Sequence, residues 1–228
     1  MLASGRMLAY AGFSDPVSSL THLAGALVFA VLAVVLLRRG RGDALRMGSL
    51  YVFAFSCVLL LSLSGVYHLL SPDTPGREVL KRLDHAAIFV LIAGSFTPVH
   101  VILFRDGWRW GMLSLIWGLA LAGLTLKVAY FDTMPEWLSL SMYLALGWMG
   151  VISAVALARR YRWRAMHLVL WGALAYTAGA VFEFLRWPVL LGGVVGPHEI
   201  FHLAVLAGIG CHWAFILGIA AGSLSSPK

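Results

Sequence analysis

Charge is what this chain has least of. Only 12% of its 228 residues are Asp, Glu, Lys or Arg, against 61% that are hydrophobic. A water-soluble domain carries roughly 25% charged residues, so this chain cannot cover itself with polar surface and belongs in lipid. Cysteine is scarcer still. Cys57 and Cys211 both sit in apolar runs, and two thiols make no disulfide framework. Acidic residues are outnumbered 10 to 17, for a formal net charge of +7. The basic residues lie in short clusters between apolar runs, which is the layout of membrane topology and not of a nucleic-acid surface. Residues 1–16 lack the basic start, apolar run and small-residue cleavage site of a secretory signal, so the first apolar run is expected to remain in the mature protein. The sequence carries no soluble domain, no low-complexity tail and no internal repeat.

What the chain does have is long apolar stretches. A helix needs about 20 such residues to cross a bilayer. Seven runs qualify, at about 17–37, 47–70, 86–104, 110–127, 137–158, 165–186 and 199–221. Their connections are short and rich in turn residues or arginine, as in Ser71-Pro72-Asp73-Thr74-Pro75-Gly76 and Arg159-Arg160-Tyr161-Arg162-Trp163-Arg164. Trp108, Trp110, Trp137, Trp163 and Trp187 fall near run ends, as an interfacial belt would. The pattern predicts one all-α, polytopic membrane domain over residues 1–228, a seven-transmembrane-helix bundle.

Alternation then sorts the polar residues by depth. Let side A be the side of the N-terminus. The end of span two, the start of span three, the end of span six and the start of span seven all lie there. Span two ends in Ser64-Gly65-Val66-Tyr67-His68, span three begins Lys81-Arg82-Leu83-Asp84-His85, and span seven opens with Pro197-His198-Glu199-Ile200-Phe201-His202. His198 and His202 are four apart and share one helix face. Three imidazoles and a carboxylate from three helices therefore occupy one level near side A. His100, His167 and His212 belong to other depths, and Cys57 lies about 16 Å deeper than His68 at 1.5 Å per residue. Buried imidazoles in a membrane need a partner, and a metal ion is one. Three protein ligands with an open fourth position suit catalytic zinc, so Zn2+ is the expected cofactor, held by His68, His198 and His202. Asp84 is expected to hold or deprotonate a water. Ser64, one turn below His68, could hydrogen-bond that carboxylate, the water or a substrate oxygen, or simply a carbonyl one turn back. His22 is expected to be a polar contact inside the bundle, and His85 points away from Asp84. Glu183 either lines the cavity or pairs with Arg186; the sequence leaves this open.

His198-Glu199-Ile200-Phe201-His202 also matches H-E-x-x-H, in which the glutamate is a protease general base. Here the pattern sits in the last span, so a third ligand must come from upstream.

These residues resemble the hemolysin III family, the bacterial branch of the progestin and adipoQ receptors, with distant similarity to alkaline ceramidases. The resemblance rests on Ser64-Gly65-Val66-Tyr67-His68, on the run from Leu83-Asp84-His85 through Ser95-Phe96-Thr97-Pro98, and on His198-Glu199-Ile200-Phe201-His202. The opening Ser19-Leu20-Thr21-His22-Leu23-Ala24-Gly25-Ala26 adds to it, and the similarity runs from about residue 14 to 221. It implies zinc on the matching histidines, with Asp84 and Ser64 beside the metal. It also implies a cytoplasmic N-terminus in a bacterial plasma membrane. Six of the 17 Lys and Arg residues fall on side A and eleven on side B, which points the other way; the family's orientation is the expectation adopted. Three functional expectations follow. One is a zinc-dependent intramembrane hydrolase of lipid amides or esters, with membrane lipid as solvent and substrate and no nucleic-acid partner. Another is a receptor-like or membrane-homeostasis protein with zinc as a structural clip. The third is a pore-forming haemolysin, which would require an oligomer; the oligomeric state is not given by the sequence.

Overall fold

The computed structural model describes residues 15–72, 74–161 and 163–222. Helix α1 spans Pro16–Arg38, α2 Ala44–Leu69, α3 Pro75–Leu103 and α4 Asp106–Ala129. The fifth crossing is made of two pieces, α5 Glu136–Trp148 and α6 Gly150–Arg160. A 3-10 turn at Trp163–Met166 leads into α7 His167–Leu185, and α8 is Pro197–Ala220. Seven of these segments, α5 and α6 counting as one, are long and apolar enough to cross a membrane. The chain is a multi-pass integral membrane protein with an all-α, seven-helix fold. Among the described residues there is no sheet; an isolated bridge pairs Leu191 with Val195 before α8.

Local chemistry explains the boundaries. Pro16, Pro75 and Pro197 each open a helix, where the missing N–H is an orphan in any case. Asp43 caps α2 by accepting from Arg46 N at 2.9 Å. The break inside the fifth crossing falls at Met149, between Gly147 and Gly150, which hold a helix weakly. α3 starts at Pro75, well ahead of the apolar run at 86, so Lys81, Arg82 and Asp84 ride on its first turns. A helix is the natural form there because it satisfies its own backbone as it leaves the hydrocarbon.

The bundle is apolar outside as well as inside. Leu27 and Val31 of α1, and Trp171 and Leu185 of α7, face outward. One core joins Phe29 of α1, Phe53 and Leu61 of α2, and Ile209, Trp213 and Ile216 of α8. The Trp213 ring lies 5.0 Å from Phe29 and 5.2 Å from Phe53. A second core joins Phe89 of α3, Ile116 of α4 and Leu146 of α5.

Two glycines let α1 close on its neighbours near side A. A Cβ on Gly65 would stand 2.7 Å from Leu23 Cγ and 3.1 Å from the Leu23 backbone nitrogen; one on Gly25 would stand 2.6 Å from Leu206. Close backbone approach is how helices gain contact in lipid, where no hydrophobic drive separates them from solvent. At this seam Ser19 Oγ donates to the Gly65 carbonyl at 2.8 Å, and Asp15 N donates to the His68 carbonyl at 3.1 Å. The start of α1 is thereby fixed against the end of α2.

Candidate metal centre

His68 occupies the last turn of α2, and His198 and His202 the first two turns of α8. Their Nε2 atoms converge. His198 Nε2 lies 3.2 Å from His68 Nε2 and 3.1 Å from His202 Nε2, and the three ligand atoms all lie within 4.8 Å of one another. Tetrahedral zinc with Zn–N bonds of about 2.0–2.1 Å separates its ligand nitrogens by about 3.3–3.4 Å. The donor set and its spacing fit a metal ion.

The other ring nitrogens sharpen that fit. His68 Nδ1 donates to Asp15 Oδ2 at 2.9 Å. His198 Nδ1 lies 3.4 Å from Glu183 Oε1. A ring that gives its Nδ1 proton to a carboxylate presents a lone pair at Nε2. Two such lone pairs then face each other at about 3 Å, which is unfavourable unless a cation or a proton lies between them. A carboxylate behind a ligating imidazole fixes its tautomer and raises its basicity. Among the described residues His202 has no such carboxylate, and its buried Nδ1 makes no hydrogen bond. Its ring is braced instead by His22, which stacks on it at 3.9 Å and whose Nε2 lies 3.3 Å from the His202 carbonyl. His22 is thus a packing partner of a candidate ligand, outside the cluster.

Asp15 and Glu183 are in turn held by arginines. Arg77 Nη2 donates to Asp15 Oδ2 at 2.7 Å and Arg77 Nη1 donates to the Leu70 carbonyl. Burial pushes the Asp15 carboxyl up, but hydrogen bonds from His68 and Arg77, with their charges, outweigh it and hold the group below the ordinary carboxylate value of 3.8. Arg186 ends α7 with φ 52, in the left-handed region, and its guanidinium bridges Glu183 and Glu136. Glu183 therefore both pairs with Arg186 and supports His198. Sequence reasoning missed Asp15, because the apolar run appeared to begin after it. The available signal was an acid directly before Pro16, on side A and at the depth of His68.

Asp84 stands outside the cluster, with its side chain 13% exposed. Its Oδ2 lies 3.9 Å from His85 Nδ1, and it is not among the ligand atoms that lie within 4.8 Å of one another. Ser64 itself is buried one turn below His68. His68 and His202 are buried, whereas the His198 side chain is 39% exposed, so the cluster opens at His198. Glu199 faces elsewhere. Its Oε2 accepts from Gly196 N at 2.8 Å, capping α8, and its Oε1 accepts from Ser18 Oγ at 3.1 Å. His85 puts its Nδ1 on the Lys81 carbonyl at 2.8 Å, and the same nitrogen lies 3.9 Å from Asp84 Oδ2, so the two neighbours stay within ion-pair distance and His85 does not point away from Asp84 as expected.

A cavity of about 400 Å3 lies in the other half of the bundle, lined by Val99, Trp148, Ala154, His212 and Ile216 among others. None of the clustered histidines lines it. His212 is about 15 Å along α8 from His202, at 1.5 Å per residue.

A model of the family described as haemolysin-III related matches residues 12–213. The chain belongs to the haemolysin-III family. Hemolysin-3 of Bacillus cereus is 31% identical over 194 residues, covering 84% of each chain. The hemolysin-3 homolog of Bacillus subtilis is 28% identical over 193 residues, covering 84% of this chain and 87% of its own. The heptahelical transmembrane protein ADIPOR2 of rice is 31% identical over 180 residues, covering 72% and 79% respectively. This tie to plant adipoQ-receptor relatives agrees with the seven crossings. The haemolysin-III match encloses Asp15, Ser64, His68, Asp84, Glu183, His198 and His202 alike.

Proposed function

We propose that this haemolysin-III family member is a zinc-dependent intramembrane hydrolase of lipid amides or esters, ceramidase-like in substrate class. His68, His198 and His202 hold the ion through Nε2. When bound, zinc supplies Lewis acidity that polarises a carbonyl and acidifies water. The rest falls to the chain's own groups. Asp84, a carboxylate outside the ligand set, takes a proton from the attacking water and returns it to the leaving amine or alkoxide. Ser64 restrains the Asp84 carboxylate. Asp15 and Glu183 keep their imidazoles in the ligating tautomer. The exposed edge of His198 gives a lipid carbonyl its approach from side A.

One observation carries this reading: the Nε2 atom of His198 lies 3.2 Å from that of His68 and 3.1 Å from that of His202, a spacing that supports a shared ion. The test is metal content followed by lipid hydrolysis, on wild type and Asp84→Asn. The variant should retain stoichiometric zinc while turnover falls by about 10²–10⁴, the usual contribution of a general acid–base group. Stoichiometric zinc with no turnover by wild type on ceramide-like amides or lipid esters would sink the hydrolase. It would favour the second reading, a receptor-like protein in which the ion clips α2 to α8; the carboxylate behind two of the three rings supports that alternative. The H-E-x-x-H protease reading is disfavoured because both Glu199 oxygens already accept hydrogen bonds, from Gly196 and Ser18.

A further inference from the structure

A second polar cluster lies at side A, between α3, α4 and α5. Three cations surround one aromatic ring. Lys81 Nζ lies 5.5 Å from the Phe131 centroid, Arg82 Cζ 5.4 Å and Lys127 Nζ 4.5 Å. The ring face attracts cations, but it does not neutralise them.

The nearby carboxylates do so only in part. Asp132 pairs with Arg82 at 2.7 Å. Both oxygens of Glu136 accept from Arg186, at 2.9 and 2.8 Å. Lys127 is only 6% exposed, yet its Nζ donates to the neutral Ser139 hydroxyl at 2.9 Å and makes no ion pair among the described residues. Lys81 likewise makes none among them. Two ammonium groups at a bilayer edge thus lack an anion of their own, and an ammonium buried this far calls for one.

We propose that Lys81, Arg82 and Lys127 form a binding site for a phosphate group, the headgroup phosphate of an anionic phospholipid. Phosphate oxygens accept charge-assisted hydrogen bonds from ammonium and guanidinium alike, and basic pockets between membrane helices take anionic headgroups. The surroundings favour a lipid over a free ion. Val79 and Leu83, on the same first turns of α3, are exposed, as are Tyr130 and Trp137 in the α4–α5 connection. They offer apolar and amphipathic surface where a lipid's glycerol and acyl chains would lie. The site lies one helical turn from Asp84 on α3, and it does not depend on hydrolysis.

The test uses purified full chain in mixed micelles, with bound lipid counted by native mass spectrometry. Wild type should retain phosphatidylglycerol in preference to phosphatidylcholine. Lys81→Gln with Lys127→Gln should lower the phosphatidylglycerol affinity about 30-fold, from about 1 kcal/mol per basic residue near an anionic surface. Zinc content should not change, and Lys127→Arg should keep the preference. A separate arm titrates inorganic phosphate. Displacement of phosphatidylglycerol by phosphate only at large excess supports the lipid source; phosphate binding at equal strength without any lipid preference keeps the phosphate site but overturns its lipid source. Equal retention of both lipids by wild type with no phosphate binding overturns the proposal. So does an undiminished preference in a double variant that still carries its zinc.

Discussion

Replacing Asp15 with Asn isolates the part of the candidate metal centre that no ligand motif contains. Asn has the same shape and keeps one oxygen, but it removes the charge behind His68. In the native chain His68 Nδ1 donates to Asp15 Oδ2 at 2.9 Å, in a setting where the two side chains are 4% and 18% exposed. Losing that carboxylate lowers the basicity of Nε2 and frees the ring to rotate. Partners of this kind are worth about 10–100-fold in metal affinity, or about 1.4–2.7 kcal/mol. Arg77 also loses its partner. It is 14% exposed and retains the Leu70 carbonyl, so its cost falls below the ~3–5 kcal/mol of breaking a fully buried pair. Arg77→Gln separates the two effects, because it lowers stability while leaving the imidazole–carboxylate bond in place. Competition against a chromophoric zinc chelator gives the affinity, and a thermal melt gives the stability. Asn at 15 should weaken zinc at least about 10-fold, and Gln at 77 should weaken it far less. Equal zinc affinities in wild type and Asp15→Asn would refute the argument that Asp15 tunes His68.

Other outcomes follow from the same contacts. Glu199→Gln should cost about 1 kcal/mol at the α8 N-terminus, read by thermal melt, and leave lipid turnover standing; abolished turnover there, with Asp84→Asn active, would restore the protease reading. Gly65→Ala should cost about 1–3 kcal/mol by overpacking against Leu23 and weaken zinc, because it pushes α1, and Asp15 with it, off the end of α2. In a pH titration, zinc should leave as acid protonates the ligand imidazoles, with helical circular dichroism retained. Asp15 should act later: its folded value lies below 3.8, so its stabilising contribution is complete above 3.8 and disappears only as pH falls further. Zinc release confined to pH below about 4 would contradict that order.

Much of the site is legible before any fold is known. Apolar run length identifies the crossings, and alternation places His68, Asp84, His198 and His202 on one side. The four-residue spacing of His198 and His202 puts them on one face. Rotation of each helix about its axis is not legible. Neighbouring residues such as Asp84 and His85 share a depth with the histidines, yet neither falls within the cluster of His68, His198 and His202. Glu199 sits inside the motif and still points at Ser18. Lys127 reads as a stray charge until Phe131, Lys81 and Arg82 are seen around it.

From sequence alone came the quantities set by local rules: membrane residence, the number of crossings, and the common depth of His68, His198 and His202, all consequences of hydrocarbon thickness and helical rise. Tertiary structure decided which carboxylates stand behind the imidazoles. The Asp15–His68 contact joins groups 53 residues apart. It exists because Gly65 lets α1 lie close on α2, and such packing sets helix rotation through many small steric choices that no single segment encodes.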